Sequence, residues 1–300
     1  MHEFLLFGQV ANNDHHRLLQ QLAGVTRMQP HHVVERHLIF KARPPVGLGN
    51  IPSGGGSQGI LAPDIQKTKQ ALSSSIFYIQ LVYSVQGEGA QVGGKVVVQH
   101  GLTNGDKSQG RDFTKVEASG SSEQVDGVWA IEFRDIPEAG KQAVTTRLLS
   151  RIPIAGGDVI QFLRDLGYEY GNEDLRTGRT GLLTAFSYVS QYVIEGHKFY
   201  DQDTTLFVHQ VLRMPQAAGD EAIATNTPIP PISDLQPLDS TKGFVLQASI
   251  EAIDGNNPEV KEKAVQQLMA IKETLKQAVT LLPGDRLALD TRVPIRNNRP

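Results

Sequence analysis

Two stretches carry the spacing of familiar catalytic or phosphate-binding motifs. Gly55-Gly56-Ser57-Gln58-Gly59 satisfies G-x-S-x-G, the form in which a serine nucleophile sits on a strained turn. That turn needs a strand entering and a helix leaving. Here the serine lies in a glycine-rich run with neither, so the match reads as accidental. Gly89 to Lys95, GAQVGGK, fits G-x-x-x-x-G-K, yet Val96 stands where a phosphate loop needs the hydroxyl that binds magnesium. The strand-like VVVQ follows, in place of a helix whose N-terminus would face the phosphates, so a hairpin loop is expected. His15 and His16 fall on a helical stretch, and His31, His32 and His37 at the start of a strand-like one. Neighbouring side chains on a strand point to opposite faces and do not readily share a metal, so hydrogen-bonded or solvated imidazoles are expected. Asp201-x-Asp203 could ligate a hard cation, but it separates two strand-like runs, where aspartate commonly forms a turn.

The bulk composition narrows the classes further. The 300 residues are 39% hydrophobic and 20% charged, too apolar for disorder and sufficient for a sizeable core. The net charge of -3 favours no particular partner. The absence of cysteine excludes disulfides, a thiolate nucleophile and Cys-ligated metal centres, and fits a reducing compartment. The opening MHEFLLFGQV has no basic leader, and no run approaches the roughly 18 apolar residues of a membrane span, so a soluble chain is expected. Aromatic residues are 6% and no block of about five basic residues exists, so specific nucleic-acid recognition is not expected.

Three segments read as surface insertions: 43–62, 101–124 and the proline-studded 215–241. Between them apolar residues alternate, most clearly at Phe77, Ile79, Leu81, Tyr83 and Val85. Further strands are expected over Glu3–Val10, His32–Lys41, Gly94–Gln99, Val128–Asp135, Thr145–Ile154, Leu182–Ser190, Tyr192–Tyr200, Thr204–Met214, Gly243–Ile253 and Asp285–Pro294. That makes about eleven strands with few helices between them, hence mostly antiparallel pairing. Helices are expected over Asp14–Ala23, stopped by Gly24, over VIQFLRDL after Asp158, and over Pro258–Leu282, capped by Asn257. The architecture expected is mainly β (α+β): one domain over 1–300, a multi-stranded antiparallel barrel with a few peripheral helices. Glu132 with Arg134, Arg147 with Arg151, Glu195 with His197, and Arg286, Asp290 and Arg292 lie opposite the apolar faces. Solvent exposure on the outside of the barrel is the reading favoured over a polar tunnel.

The order of these segments resembles the Mediator subunit 18 family over nearly the whole chain. The resemblance rests on HEFLLFGQV, HHRLLQQLAG and HHVVERHLIFK at the start, and on VWAIEFRDIPEAG and VTTRLLSRIPI further on. FSYVSQYVIEGHKFYDQDTTLFVHQVLRMP and the strand–helix end beginning GFVLQASIEAIDGNNPEVKEKAVQQL complete it. It implies a β-barrel of the Mediator head module that pairs with Mediator subunit 20 and is tethered by the C-terminal tail of Mediator subunit 8. Other head-module subunits and RNA polymerase II follow as partners, with the nucleus as location and regulation of transcription as the task. It also implies kinship of fold with the tunnel-barrel fold of fungal RNA triphosphatases, and so a rival: a metal-dependent tunnel triphosphatase acting on RNA 5′ ends.

Such an enzyme needs E-x-E pairs on strands, because alternate carboxylates share a face and together hold the ion that activates water. No E-x-E occurs. Along Glu35-x-His37-x-Ile39-x-Lys41 the positions suited to further carboxylates hold an imidazole and an aliphatic chain, and Glu132 and Glu195 stand beside Arg134 and His197. The expectation is therefore a non-enzymatic subunit acting through protein contacts. No catalytic, cofactor-binding or metal-ligating residue is assigned, no cofactor is expected, and the partner-binding residues are left unassigned.

Overall fold

Strand periodicity turns into a closed cylinder in the computed structural model, which describes residues 1–42, 77–86, 128–140, 142–154, 163, 186–214 and 229–293. The motifs at 55–59 and 89–95, the strand expected at 94–99, the insertions 43–62 and 101–124, and all but Leu163 of the helix after Asp158 lie outside those residues. The strands are β1 (His2–Val10), β2 (His31–Ala42), β3 (Tyr78–Gln86), β4 (Val128–Arg134), β5 (Thr145–Ile154), β6 (Phe186–Asp201), β7 (Thr204–Arg213), β8 (Gln236–Pro237) and β9 (Phe244–Ala252). They hydrogen-bond in the order β6-β2-β3-β4-β5-β1-β9-β7, and β7 pairs back onto β6, closing an eight-stranded antiparallel barrel with β8 clipped to β7. Closure leaves the ring without a free edge.

The helices follow local rules closely at their starts and less closely at their ends. α1 (His15–Thr26) buries Leu18 and Leu22 against the barrel. It runs past Gly24, where nothing crowds the backbone, and stops at Arg27, which takes the left-handed conformation at φ 56. α2 (Pro258–Leu275) begins as its sequence dictates. The Asn257 side chain accepts a hydrogen bond from the Glu259 amide at 3.0 Å, and Pro258 fills the first turn. It ends earlier than the apolar stripe suggests. Beyond Leu275 the chain straightens and Leu282 exchanges two 2.8 Å backbone hydrogen bonds with Phe7. Val279 and Leu281 remain buried, because this segment packs on β1 where Gly8 leaves room: a Cβ there would sit 2.6 Å from Val279 Cγ2.

Two expected strands take other forms. The run expected over 182–190, described from residue 186, and the run expected over 192–200 form one strand, β6, in which Val189 is the extra residue of a bulge opposite Ile39 and Phe40. Residues 285–293 are turn and coil, joined to the sheet by a bridge between Phe77 and Arg292 and by the Thr291 hydroxyl, which donates to the Arg134 carbonyl at 2.5 Å. Of the insertion at 215–241, residues 229–241 are described. Ile229 and Leu235 are buried against Val34, Val193, Leu212 and Met214.

The main core lies outside the cylinder. Phe4, Leu6 and Val10 of β1, Leu206 and Val208 of β7, and Leu246, Ala248 and Ile250 of β9 pack beneath the stripes of α1 and α2. A second apolar layer joins Leu38, Phe40 and Leu81 to Leu163. An eight-stranded barrel has room within only for side chains, so elements as wide as helices must stack on its outer wall. The alternate residues of each strand therefore face the lumen, where charged side chains stand among apolar ones such as Leu5, Leu149 and Phe207.

Candidate functional site: a charge-paired lumen

Strand register brings the polar faces together. Glu3 on β1 stands opposite Arg147 on β5 and Glu251 on β9; Glu132 on β4 stands opposite Gln80 on β3 and Arg151 on β5; His37 on β2 stands opposite Tyr192 on β6. Side chains of non-neighbouring strands meet across the lumen. Arg151 Nη1 lies 3.5 Å from Glu251 Oε1, and the charge of Glu35 on β2 is felt by Arg151 on β5 and by His209 on β7.

Each lumen carboxylate is taken by a cation. Glu3 Oε2 accepts from Arg147 Nε at 2.8 Å, with both side chains under one-tenth exposed. Glu132 is gripped on both oxygens, Oε1 by Arg151 Nε and Oε2 by Arg134 Nη2, each at 2.6 Å. Glu35 Oε1 accepts from Lys198 Nζ at 2.8 Å and from Ser84 Oγ at 3.3 Å, while Oε2 faces His37 Nε2 at 3.4 Å. The His37 ring stacks on Tyr192 at 4.9 Å between centroids, and Lys198 Nζ sits 4.7 Å above the Phe207 ring. Gln80 Oε1 links the two halves, accepting from Arg134 Nη1 at 3.1 Å with His37 Nδ1 at 3.3 Å.

The electrostatics follow from this pairing. Burial pushes the Glu35 carboxyl up, but the His37 hydrogen bond and the Lys198 charge overcome it and hold it well below the usual carboxylate range. Burial likewise opposes ionisation of Glu132, and Arg134 with Arg151 outweighs it, so that its pKa too is lowered. His209 is pushed down to about 4, chiefly by burial. Glu3, Glu35, Glu132 and Glu251 are matched by Arg134, Arg147, Arg151 and Lys198, so the lumen is close to neutral.

A divalent ion that activates water takes its charge from carboxylates free to ligate it. Glu35 and Glu132, the carboxylates closest to that role, are ion-paired with Lys198 and with Arg134 and Arg151. Among the described residues no group of three or more His, Asp or Glu side chains is placed to hold a metal.

The expectation that Glu132, Arg134, Arg147 and Arg151 face solvent is overturned. Glu132 and Arg147 are buried, and all four line the lumen. Glu195 and His197 lie on the outer wall, in reach of His15 on α1 and His32 on β2. Asp201 and Asp203 flank the β6–β7 hairpin turn, with Gln202 at φ 53, and Asp203 pairs with Lys263 of α2 at 3.0 Å. Arg292 clasps Asp290 on the non-strand segment 285–293, and Arg286 donates to the Pro137 carbonyl at 2.8 Å. His16 lies 3.1 Å from Gln20 on the exposed side of α1. Sequence alone paired Glu132 with Arg134, but Arg151, Lys198 and Gln80 reach the lumen from other strands, and only the register reveals them.

Fold and lumen together define a closed antiparallel β-barrel with a charge-neutralised interior and helices on its outer wall. The chain matches the family model described as Med18 protein over residues 2–179 and 183–292, and it belongs to that family. It is 37% identical to Mediator of RNA polymerase II transcription subunit 18 of Coccidioides immitis (strain RS), over 98% of this chain and 100% of that protein. It is 38% identical to the subunit 18 of Aspergillus niger, over 97% and 99%. Among solved structures, a chain of the Schizosaccharomyces pombe Mediator head module shares the fold at a TM-score of 0.57 and 16% identity, with 95% of this chain and 99% of that one covered. A putative adenylyl cyclase of Hippeastrum described as having a dominant triphosphatase activity aligns at a TM-score of 0.37 and 7% identity, too distant to bear on activity here.

Proposed function

We propose that this chain is a non-catalytic subunit of the Mediator head module, working in the nucleus through protein contacts made by the outer wall of its barrel. The observation that carries the non-catalytic part is the pairing of the buried lumen carboxylates: Glu3, Glu35 and Glu132 each meet a cation within 2.8 Å. A lumen committed to holding itself together has no carboxylate to spare for an ion. Family membership and the relatives named as Mediator subunit 18 support the assignment to Mediator. The partners proposed are Mediator subunit 20, as a heterodimer, and the C-terminal tail of Mediator subunit 8, with the remaining head module and RNA polymerase II beyond them. The domain organisation that goes with this is a single barrel from which 43–62, 101–124 and 215–241 extend as insertions.

Co-expression with subunit 20 and the subunit 8 tail, followed by affinity capture of this chain, tests the reading. A stoichiometric complex that survives gel filtration is expected. Failure of both partners to co-elute with a correctly folded barrel would overturn it.

A further inference from the structure

Where α1 meets the barrel wall, three imidazoles gather around one carboxylate. The His15 ring lies flat on Phe244 of β9, 3.8 Å between centroids and 6° from parallel, with His197 of β6 6.0 Å away. His197 is in turn 5.3 Å from His32 of β2. Glu195 of β6 faces His32 Nε2 at 3.3 Å and accepts from Gln210 of β7 at 3.0 Å. Among the described residues, the other titratable group acting on the cluster is His16, on α1 itself. His15 Nε2 and His197 Nδ1 are buried and find no hydrogen-bond partner among the described residues.

The stoichiometry has a consequence. Glu195 is one carboxylate among three imidazoles, and its two oxygens already face His32 Nε2 at 3.3 Å and Gln210 Nε2 at 3.0 Å. Protons on both His15 and His197 would place two cations 6.0 Å apart between ring centroids in a half-buried seam, with one carboxylate beside them among the described residues.

We infer that this cluster is a proton-sensitive latch: α1 is seated on the barrel while His15 and His197 are neutral, and is released from it when they are protonated. Release would uncover part of the apolar core that Leu18 and Leu22 now join. The direction is set by the seam. Burial lowers the pKa of both imidazoles; for His15 Glu195 opposes this in part, and for His197 the neighbours His32 and His15 reinforce it. A histidine whose folded pKa lies below its unfolded value contributes stability that is complete above the unfolded value and is lost as pH falls through the folded one. The latch therefore holds at neutral to basic pH and loosens on acidification.

Hydrogen exchange on the intact protein between pH 7.5 and 5.5, corrected for the intrinsic pH dependence, reads this directly. Exchange of α1 amides should rise about tenfold or more relative to those of α2 as the pH falls, since local opening is seen segment by segment. His15→Gln with His197→Gln should abolish that pH response, while His16→Gln should leave it intact. An equal response in α1 and α2, or an undiminished one in the double variant, would overturn the latch. Should the double variant not fold, the wild-type contrast between α1 and α2 decides alone. Micromolar zinc protecting α1 in the wild type but not in the double variant would identify the cluster as a metal site, and that outcome also overturns the latch.

Discussion

Arg147→Ala is the sharpest probe of the lumen. Its guanidinium and the Glu3 carboxylate are 2.8 Å apart, with side chains 8% and 4% exposed, so truncation leaves Glu3 buried without its cation. Removing one partner of such a pair costs about 3–5 kcal/mol, most of it the stranded charge and not the lost attraction. For a chain of 300 residues this lowers the melting temperature by roughly 5–10 °C, because unfolding entropy scales with length. Replacing both members, Glu3→Leu with Arg147→Leu, removes the stranded charge as well. The double variant should return to within about 2 kcal/mol of the parent or exceed it. Urea unfolding of the parent, both single variants and the double variant closes the cycle. A loss below about 1 kcal/mol for Arg147→Ala, the magnitude of an exposed pair, would refute burial of this pair within the barrel.

Gly196→Ala places a Cβ 2.2 Å from the Val208 carbonyl oxygen and 2.6 Å from His209 Cα. It should cost about 2 kcal/mol or more in chemical unfolding, with raised exchange in β6 and β7. Asn257→Ala removes the hydrogen bond to the Glu259 amide and should cost about 1 kcal/mol, read as a lower unfolding midpoint with an unchanged urea slope. Stability should fall in acid in two stages. His209, at about 4 folded against 6.5 unfolded, contributes stability that is full above pH 6.5 and lost on descent to about 4, roughly 3 kcal/mol in all, so His209→Gln should flatten that limb. Glu35 and Glu132, lowered from 4.5 in the folded state, contribute stability that is present above that value and lost below it.

The strands were legible because each is flanked by turn residues and alternates at period two, and β1, β2, β4, β5, β7 and β9 fall where that alternation places them. The side that faces inward was not legible. Period two states that Glu132 and Arg134 share a face, and says nothing of whether water or the opposite wall lies beyond it. The answer depends on where the stripe of Ala264, Leu268, Ile271 and Leu275 docks, a contact between residues more than two hundred positions apart. Once α2 covers the face of Phe4 and Leu6, the other face of β1, which carries Glu3 and Leu5, must line the lumen. The overrun at the end of α2 has a similar origin: Val279 continues the apolar rhythm because it too is buried, but beside Gly8 and after the turn at 276–278 that ends the helix. Leu287 and Leu289 mimicked a strand over 285–294, yet Leu287 is 75% exposed and the segment carries turns. The histidine cluster draws on α1, β2 and β6, so its parts were visible and its assembly was not.

If the lumen carboxylates hold the barrel together and do not hold a catalytic ion, purified protein has no activity on triphosphate-ended RNA. Phosphate release in magnesium or manganese should then be no faster than from a heat-denatured sample, and identical for the parent and for Glu132→Gln. Metal-dependent release by the parent that disappears in Glu132→Gln, with the barrel still folded, would contradict it.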